Sequence, residues 1–331
     1  MPQGWRFNGG QIGGGPNSWE ADAGGVWGVK ENYINRNEEP FVAPSWPITS
    51  NAKMQYAFEA QYANSFVSNT AQSVTGAFGN VTIDGPTETW ITRNTAATKT
   101  SYTKGSGQTS SYISLPINAT LATNVNTFNG SDISSGGGYT LILCFQTANS
   151  HGSWGRMWMY TGASSGMADA PSSSGNITLP YVGSTFTGPL AFWDNSSNKR
   201  FQWRKPSNSA NSGSYAYSVN LGAMGSSILS VVFRQKNNSP YEAKYWYRNR
   251  STSAGGSLIQ TGDAQTLIHN GNSTYGMKTT TNTARPVYND YAYTYGRITN
   301  FNLIATGFAN RAYTDQECLD VADYLDGNFG V

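Results

Sequence analysis

Residues that carry chemistry are scarce in this chain. Of its 331 residues two are cysteine and two are histidine, and only 12% are charged. Two cysteines cannot build a disulfide framework. Cys144 lies in an apolar strand pattern and Cys318 on an apolar helix face, so both read as small buried hydrophobes; the sequence leaves open whether they approach each other. His151 and His269 have no neighbouring cysteines with which to hold zinc. Neither stands beside a recognisable serine or cysteine nucleophile. The 21 basic and 19 acidic residues are interspersed, with a net charge of +2. That pattern excludes the clustered cationic face of a nucleic-acid binder. Apolar runs stay well short of the roughly 18 residues of a membrane helix, so no membrane insertion is expected. Met1–Arg6 lacks the apolar core of a secretory signal.

What the chain does have is glycine, hydroxyl and amide side chains, and rings. It holds 37 glycines, and 13% of its residues are aromatic. Tyr, Trp, Thr and Val favour pleated surfaces, while Gly, Asn and Ser supply turns. The expectation is a folded all-β protein. Turn signals at Asp84-Gly85-Pro86, Asn129-Gly130, Asn195–Asn198 and Asn270-Gly271 separate strand-like runs. Phe192–Trp203 reads as a hairpin. Within it the basic run Lys199–Lys205 reads as a strand with Phe201 and Trp203 inward, against an alternative as an anionic-polymer contact. Residues 53–62 read as an alternating strand, though 51–84 fit no clear pattern.

Residues 1–50 differ from the body at 51–331. They combine Gly9-Gly10, Gly13-Gly14-Gly15 and Gly24-Gly25 with Trp5, Trp19, Trp27, Tyr33 and Trp46, and end among Pro40, Pro44 and Pro47. Glycine runs suit an extended arm, and spaced rings suit anchoring into separate pockets. This segment is read as a docking arm.

The C-terminus carries the strongest local signal. Ile298, Phe301, Leu303 and Ile304 predict a half-buried strand. Thr314 and Glu317 then form a capping-box pattern. Cys318, Val321, Ala322 and Leu325 recur at helical spacing, and Gly327 is placed to cap the helix end. The order Gly296, strand, Asn310-Arg311-Ala312-Tyr313-Thr314-Asp315-Gln316-Glu317, final helix resembles the C-terminal signature of laminin-G-like, concanavalin A-like jelly rolls. Gly138–Thr147, Ile228–Arg234 and Lys244–Asn249 resemble inner strands of that family, with Arg250 where the family has glycine. The resemblance implies a two-sheet jelly-roll sandwich with one short C-terminal helix and an extended N-terminal arm.

It also raises two chemistries. Glycosidases of this fold carry a glu-x-asp-x-x-glu strand, which puts the carboxylates on one face. This sequence has no such strand, its eight glutamates are scattered, and no enzymatic activity is expected. Glu317, Asp320 and Asp323 are read as the solvated face of the last helix. Laminin-G-like domains sometimes hold calcium. Asp169, Asp194, Asp263 and Asp290 lie in loop-like stretches without a spaced ligand motif, so calcium is left open and no cofactor is assigned.

Ala23–Tyr33 is similar to a gly-gly-val-trp-x-leu-x-glu-gln-tyr segment of tailed-bacteriophage structural proteins, with Val29 and Asn32 as departures. This resemblance implies a noncatalytic virion protein assembled in the host cytoplasm. It would decorate the head or belong to a tail fibre or adhesin, contact other capsid or tail proteins, and form a homo-oligomer such as a trimer. The alternative is a carbohydrate-binding lectin module, and a divergent glycoside hydrolase ranks below it. Rings stack on the apolar faces of sugars. Trp154, Trp158 and Tyr160, beside His151 and Arg156, form one candidate glycan platform. Tyr291, Tyr293 and Tyr295, which share a face if extended, form another beside Tyr288. For both, packing in the core or a subunit interface is the competing role.

Overall fold

In the computed structural model the described residues are 45–48, 50–74, 76–84, 88–93, 95–104, 107–116, 119–123, 137–147, 155–162, 189–193, 200–204, 215–220, 227–236, 242–251, 258–269, 284–288 and 301–330. A compact unit spans Pro44–Val331. Its strands are β1 (Met54–Glu59), β2 (Ala71–Ser73), β3 (Thr89–Arg93), β4 (Thr98–Thr103), β5 (Thr109–Leu115), β6 (Thr120–Thr123), β7 (Gly138–Thr147) and β8 (Gly155–Gly162). They continue as β9 (Pro189–Trp193), β10 (Arg200–Arg204), β11 (Tyr215–Asn220), β12 (Ser227–Lys236), β13 (Glu242–Ser251), β14 (Leu258–His269), β15 (Ala284–Tyr288) and β16 (Phe301–Ala309). One long helix, α1 (Asp315–Phe329), closes the chain. The fold is the expected all-β sandwich.

The strands form two antiparallel sheets of eight. The first runs β14-β13-β12-β7-β16-β5-β4, with β1 also paired to β16. The second runs β11-β10-β9-β8-β15-β6-β3-β2. Between them lies a core to which Leu141, Leu143, Phe145, Leu229, Val231 and Phe233 contribute from the first sheet, and Trp90 and Leu121 from the second. The alternate residues of the same central strands, Ile142, Cys144, Ile228 and Val232, meet Cys318, Val321, Ala322 and Leu325 of α1 in a second cluster. The central strands of the first sheet are therefore buried on both faces. That explains why β7 reads as a continuous apolar run instead of an alternating one.

Gly138 opens β7 at φ +137°, and a Cβ there would overlap the carbonyl of Gln235 on β12. Only glycine fits this register, which pairs Gly138 with Lys236.

Four expectations need revision. The C-terminal strand is described from Phe301 and runs past Ile304 to Ala309, because β1 pairs along Ala305–Ala309. Gly327 lies inside α1; the helix instead ends at Gly330, whose N–H reaches Asp326 O in an extended conformation. The 53–62 strand stops at Glu59 and passes into a 3-10 turn, Ala60–Tyr62. Trp46, grouped with the arm by sequence, packs inside the body at 6% exposure, stacked on Phe78 (5.0 Å) and edge-on to Tyr324 (5.3 Å). A ring buried this completely belongs with the second cluster, whatever the composition of the segment before it. The predicted hairpin does form, with Phe201 opposite Ala191.

Leu325 is fully buried, whereas Leu319 is only partly buried against the same cluster. Leu325→Ala should cost about 2–5 kcal/mol through transfer and cavity terms, and Leu319→Ala clearly less. Chemical denaturation of the two variants measures the difference.

Candidate functional site

The C-terminal motif resolves into a set of side chains that hold α1 against the first sheet. Asn310 donates its N–H to Lys53 O. Thr140 Oγ1 donates to Arg311 O at 2.8 Å and accepts the Tyr313 N–H at 3.0 Å, while the Tyr313 hydroxyl donates to Ala52 O at 2.9 Å. The capping box is complete: Glu317 N–H reaches Thr314 Oγ1, and Thr314 N–H reaches Glu317 Oε2. Arg311 adds a two-pronged pair to Glu317 at 3.0 and 2.8 Å.

The acidic face of the helix is not merely solvated. Strand alternation puts Lys244, Trp246, Arg248 and Arg250 of β13 on the helix side. Arg248 donates to Asp323 (2.8 Å) and to Asp263 (2.6 Å), and Arg250 grips Asp326 with two bonds. Asp263 thus lies in β14 as an ion-pair partner, not in a loop. Arg234 of β12 is fully buried. It donates to Glu242, to Asp315 (2.5 Å) and to Tyr313 O (3.0 Å), with its guanidinium 5.2 Å from the centre of the Trp246 ring. Burial pulls the Asp315 pKa upward, but Lys244 and Arg234 hold it below the usual carboxylate range. These contacts are a docking interface within the chain.

The aromatic candidates belong to the second sheet. Trp158 and Tyr160 lie on β8 opposite Tyr288 and Pro286 of β15, and Tyr288 lies opposite Leu121 of β6. Trp154, Tyr291, Tyr293 and Tyr295 lie outside the described residues, as do Trp5, Trp19, Trp27 and Tyr33, His151, Asp169, Asp194 and Asp290. The strands that lead to two of these groups are placed, however. β8 begins one residue after Trp154, and β15 ends three residues before Tyr291. In their antiparallel pairing Tyr288 is opposite Trp158, so the start of β8 and the end of β15 lie at the same end of the sheet. Trp193, the last residue of β9, sits opposite Gly155 at that end too.

Two buried carboxyls escaped sequence reasoning. Glu59 is 1% exposed and accepts from the Phe78 N–H and the Gln61 amide. Burial lifts its pKa to about 7. Glu88, 7% exposed, is lifted by burial to about 8. An acid within Tyr56-Ala57-Phe58-Glu59-Ala60 was the available signal. Cys144 and Cys318 are free and buried; burial pushes the Cys144 thiol up to about 12. Among the described residues no cluster of three or more His, Cys, Asp or Glu is arranged to hold a metal.

No known protein family matches the chain, and no curated protein matches it. Among solved structures, the metal-free carbohydrate recognition domain of Emp46p aligns at 9% identity and TM-score 0.35, over 68% of this chain and 89% of that one. Domain 4 of AbnA, a GH43 extracellular arabinanase from Geobacillus stearothermophilus, bound to arabinotriose, aligns at 11% and 0.42, over 82% and 98%. A GH54 α-L-arabinofuranosidase aligns at 11% and 0.45, over 80% and 53%. At these scores the similarities assign no activity to this chain.

Arg234→Met should destabilise the body by about 1–3 kcal/mol, because it leaves Glu242 only the longer pairs to Lys236 and Lys244 and removes a partner of Asp315. Adding Glu242→Gln should recover part of that loss, and a double-mutant cycle in denaturant reads the coupling.

Proposed function

We propose that this chain is a noncatalytic carbohydrate-binding display module, and that it works on the exterior of a tailed-bacteriophage particle as a head decoration or a tail fibre or adhesin component. The observation that carries the binding reading is the convergence of strand ends. The start of β8 and the end of β15, the strands next in sequence to Trp154 and to Tyr291–Tyr295, lie at one end of the second sheet. Helix α1 packs on β12, β13 and β14 of the first sheet, which leaves the loops at that end as the natural place for a ligand. Rings with Asn, Ser and Thr around them suit neutral sugars, whose hydroxyls pair with amides while their C–H faces stack.

The virion setting rests on the Ala23–Tyr33 segment and on the Trp-studded arm that contains it. The arm would engage capsid or tail proteins, in a symmetric assembly such as a trimer. The noncatalytic reading is supported by the roles of the carboxylates: Asp315, Asp323 and Asp326 of α1 are engaged by arginines of the first sheet, and Glu59 accepts from the Phe78 N–H.

On a glycan array the intact protein should bind a restricted set of glycans. Trp154→Ala and Tyr293→Ala should each weaken that binding about tenfold with unchanged melting. An array with no hits, or variants that bind like the parent, refutes the glycan site. For the setting, cryo-electron microscopy of purified particles should place the chain on the capsid lattice or on the tail, and removal of residues 1–50 should abolish incorporation. Absence from every particle overturns it.

A further inference from the structure

Before β1 begins, the chain is seated on the C-terminal motif. Trp46 and Ile48, each 6% exposed, join the cluster that α1 forms with the first sheet. Trp46 stacks on Phe78 at 5.0 Å and meets Tyr324 edge-on at 5.3 Å. Further along, the Tyr313 hydroxyl donates to Ala52 O at 2.9 Å, and the Asn310 N–H donates to Lys53 O at 3.0 Å. From Met54 onward the chain is held by a strand ladder along β16. Ahead of Met54, rings and these two bonds hold it.

The same residues carry features that oppose their docking. Asn51 and Lys53 are both left-handed, each at φ +52°. Asparagine tolerates that region, whereas a lysine stays there only when its surroundings hold it. Phe78, on which Trp46 stacks, is left-handed as well (φ +47°, ψ 50°). The Trp46 indole N–H is buried with no hydrogen-bond partner among the described residues, and water would supply one. Lifting Trp46 out would relieve the lysine and the indole without breaking a rung of either sheet.

We infer that Trp46, Ile48 and Ala52 mark a releasable strap, which detaches by rotation about Asn51 and Lys53 while both sheets and α1 stay folded. Release frees residues 46–52, roughly 25 Å of extended chain, between the body and what precedes it. The use of that length, though not the release, rests on the reading of residues 1–50 as a docking arm. With the arm seated on a particle, the freed strap lets the body shift outward without unfolding.

Thiol labelling of the full-length protein tests this, because Cys144 and Cys318 are free, fully buried and report opening of the body itself. Alkylation by iodoacetamide is read peptide by peptide in a mass spectrometer. The thiol introduced by Ile48→Cys should react at least about a hundredfold faster than Cys144 and Cys318, at a rate nearly independent of low urea. In the same background Lys53→Gly should slow that reaction about threefold to fivefold, since glycine docks without the left-handed strain. Tyr313→Phe should hasten it about fivefold to tenfold by removing the donor to Ala52 O. Neither change should alter the rate at Cys144. Reaction of all three thiols at one rate with a shared urea dependence overturns the inference, as does a Lys53→Gly protein that reacts no more slowly. These measurements use the isolated protein, so their failure is distinct from failure of the arm to enter a particle.

Discussion

The packing of this protein depends on one buried cation. Arg234 sits at zero exposure between the first sheet and α1, and its guanidinium joins three parts of the chain: Glu242 at the start of β13, Asp315 at the first turn of the helix, and the Tyr313 carbonyl just before it. Removing a guanidinium from water is expensive, and here its Nη1 and Nη2 are matched while the buried Nε has no hydrogen-bond partner among the described residues. Its partners come from segments distant in sequence, so the arrangement forms only when β12, β13 and the helix N-terminus are all in register. Arg248 and Arg250 repeat the device at more exposed positions further along the helix, at Asp323 and Asp326. An apolar interface alone would let α1 slide or rotate on the sheet. Charged pairs at three points along its length remove that freedom, and they also account for an acidic helix lying across a row of cations.

The consequence for function is an asymmetric sandwich. The central strands of the first sheet are buried on both faces and serve as the structural spine. The second sheet brings the start of β8 and the end of β15 to one end. Rigidity sits under the helix, where Arg234, Arg248 and Arg250 fix α1 on the first sheet. This arrangement also accounts for the ordering of the C-terminal motif, since Arg311, Tyr313, Thr314, Asp315 and Glu317 all make contacts that seat or cap the helix.

Much of this was legible in the sequence because its signals were local. The capping box is decided by two residues three apart, and β7 and β12 by unbroken apolar runs. The departure at Arg250 became intelligible only in three dimensions, where Asp326 supplies its partner from another element. The failures have the same origin. Gly327 looked like a cap because glycine often is one, but the apolar periodicity continues to Phe329, and packing of that ring carries the helix past it. Trp46 lay in a segment with the composition of a free arm, and nothing short of the tertiary fold places Phe78 and Tyr324 against it. Glu59 was hidden for a related reason: the amide that needs its carboxylate is nineteen residues away and belongs to a left-handed turn that no local pattern announces.

The two buried glutamates also bear on how the fold should be read chemically. A carboxyl with a pKa near 7 is what a glycosidase requires of its general acid, and a perturbed value alone would nominate Glu59 or Glu88 for that role. Geometry argues otherwise. A general acid must reach the leaving oxygen, yet Glu59 is 1% exposed with its two oxygens taken by the Phe78 N–H and the Gln61 amide, and Glu88 is 7% exposed. Burial alone raises these acids, and the same burial keeps them from a substrate.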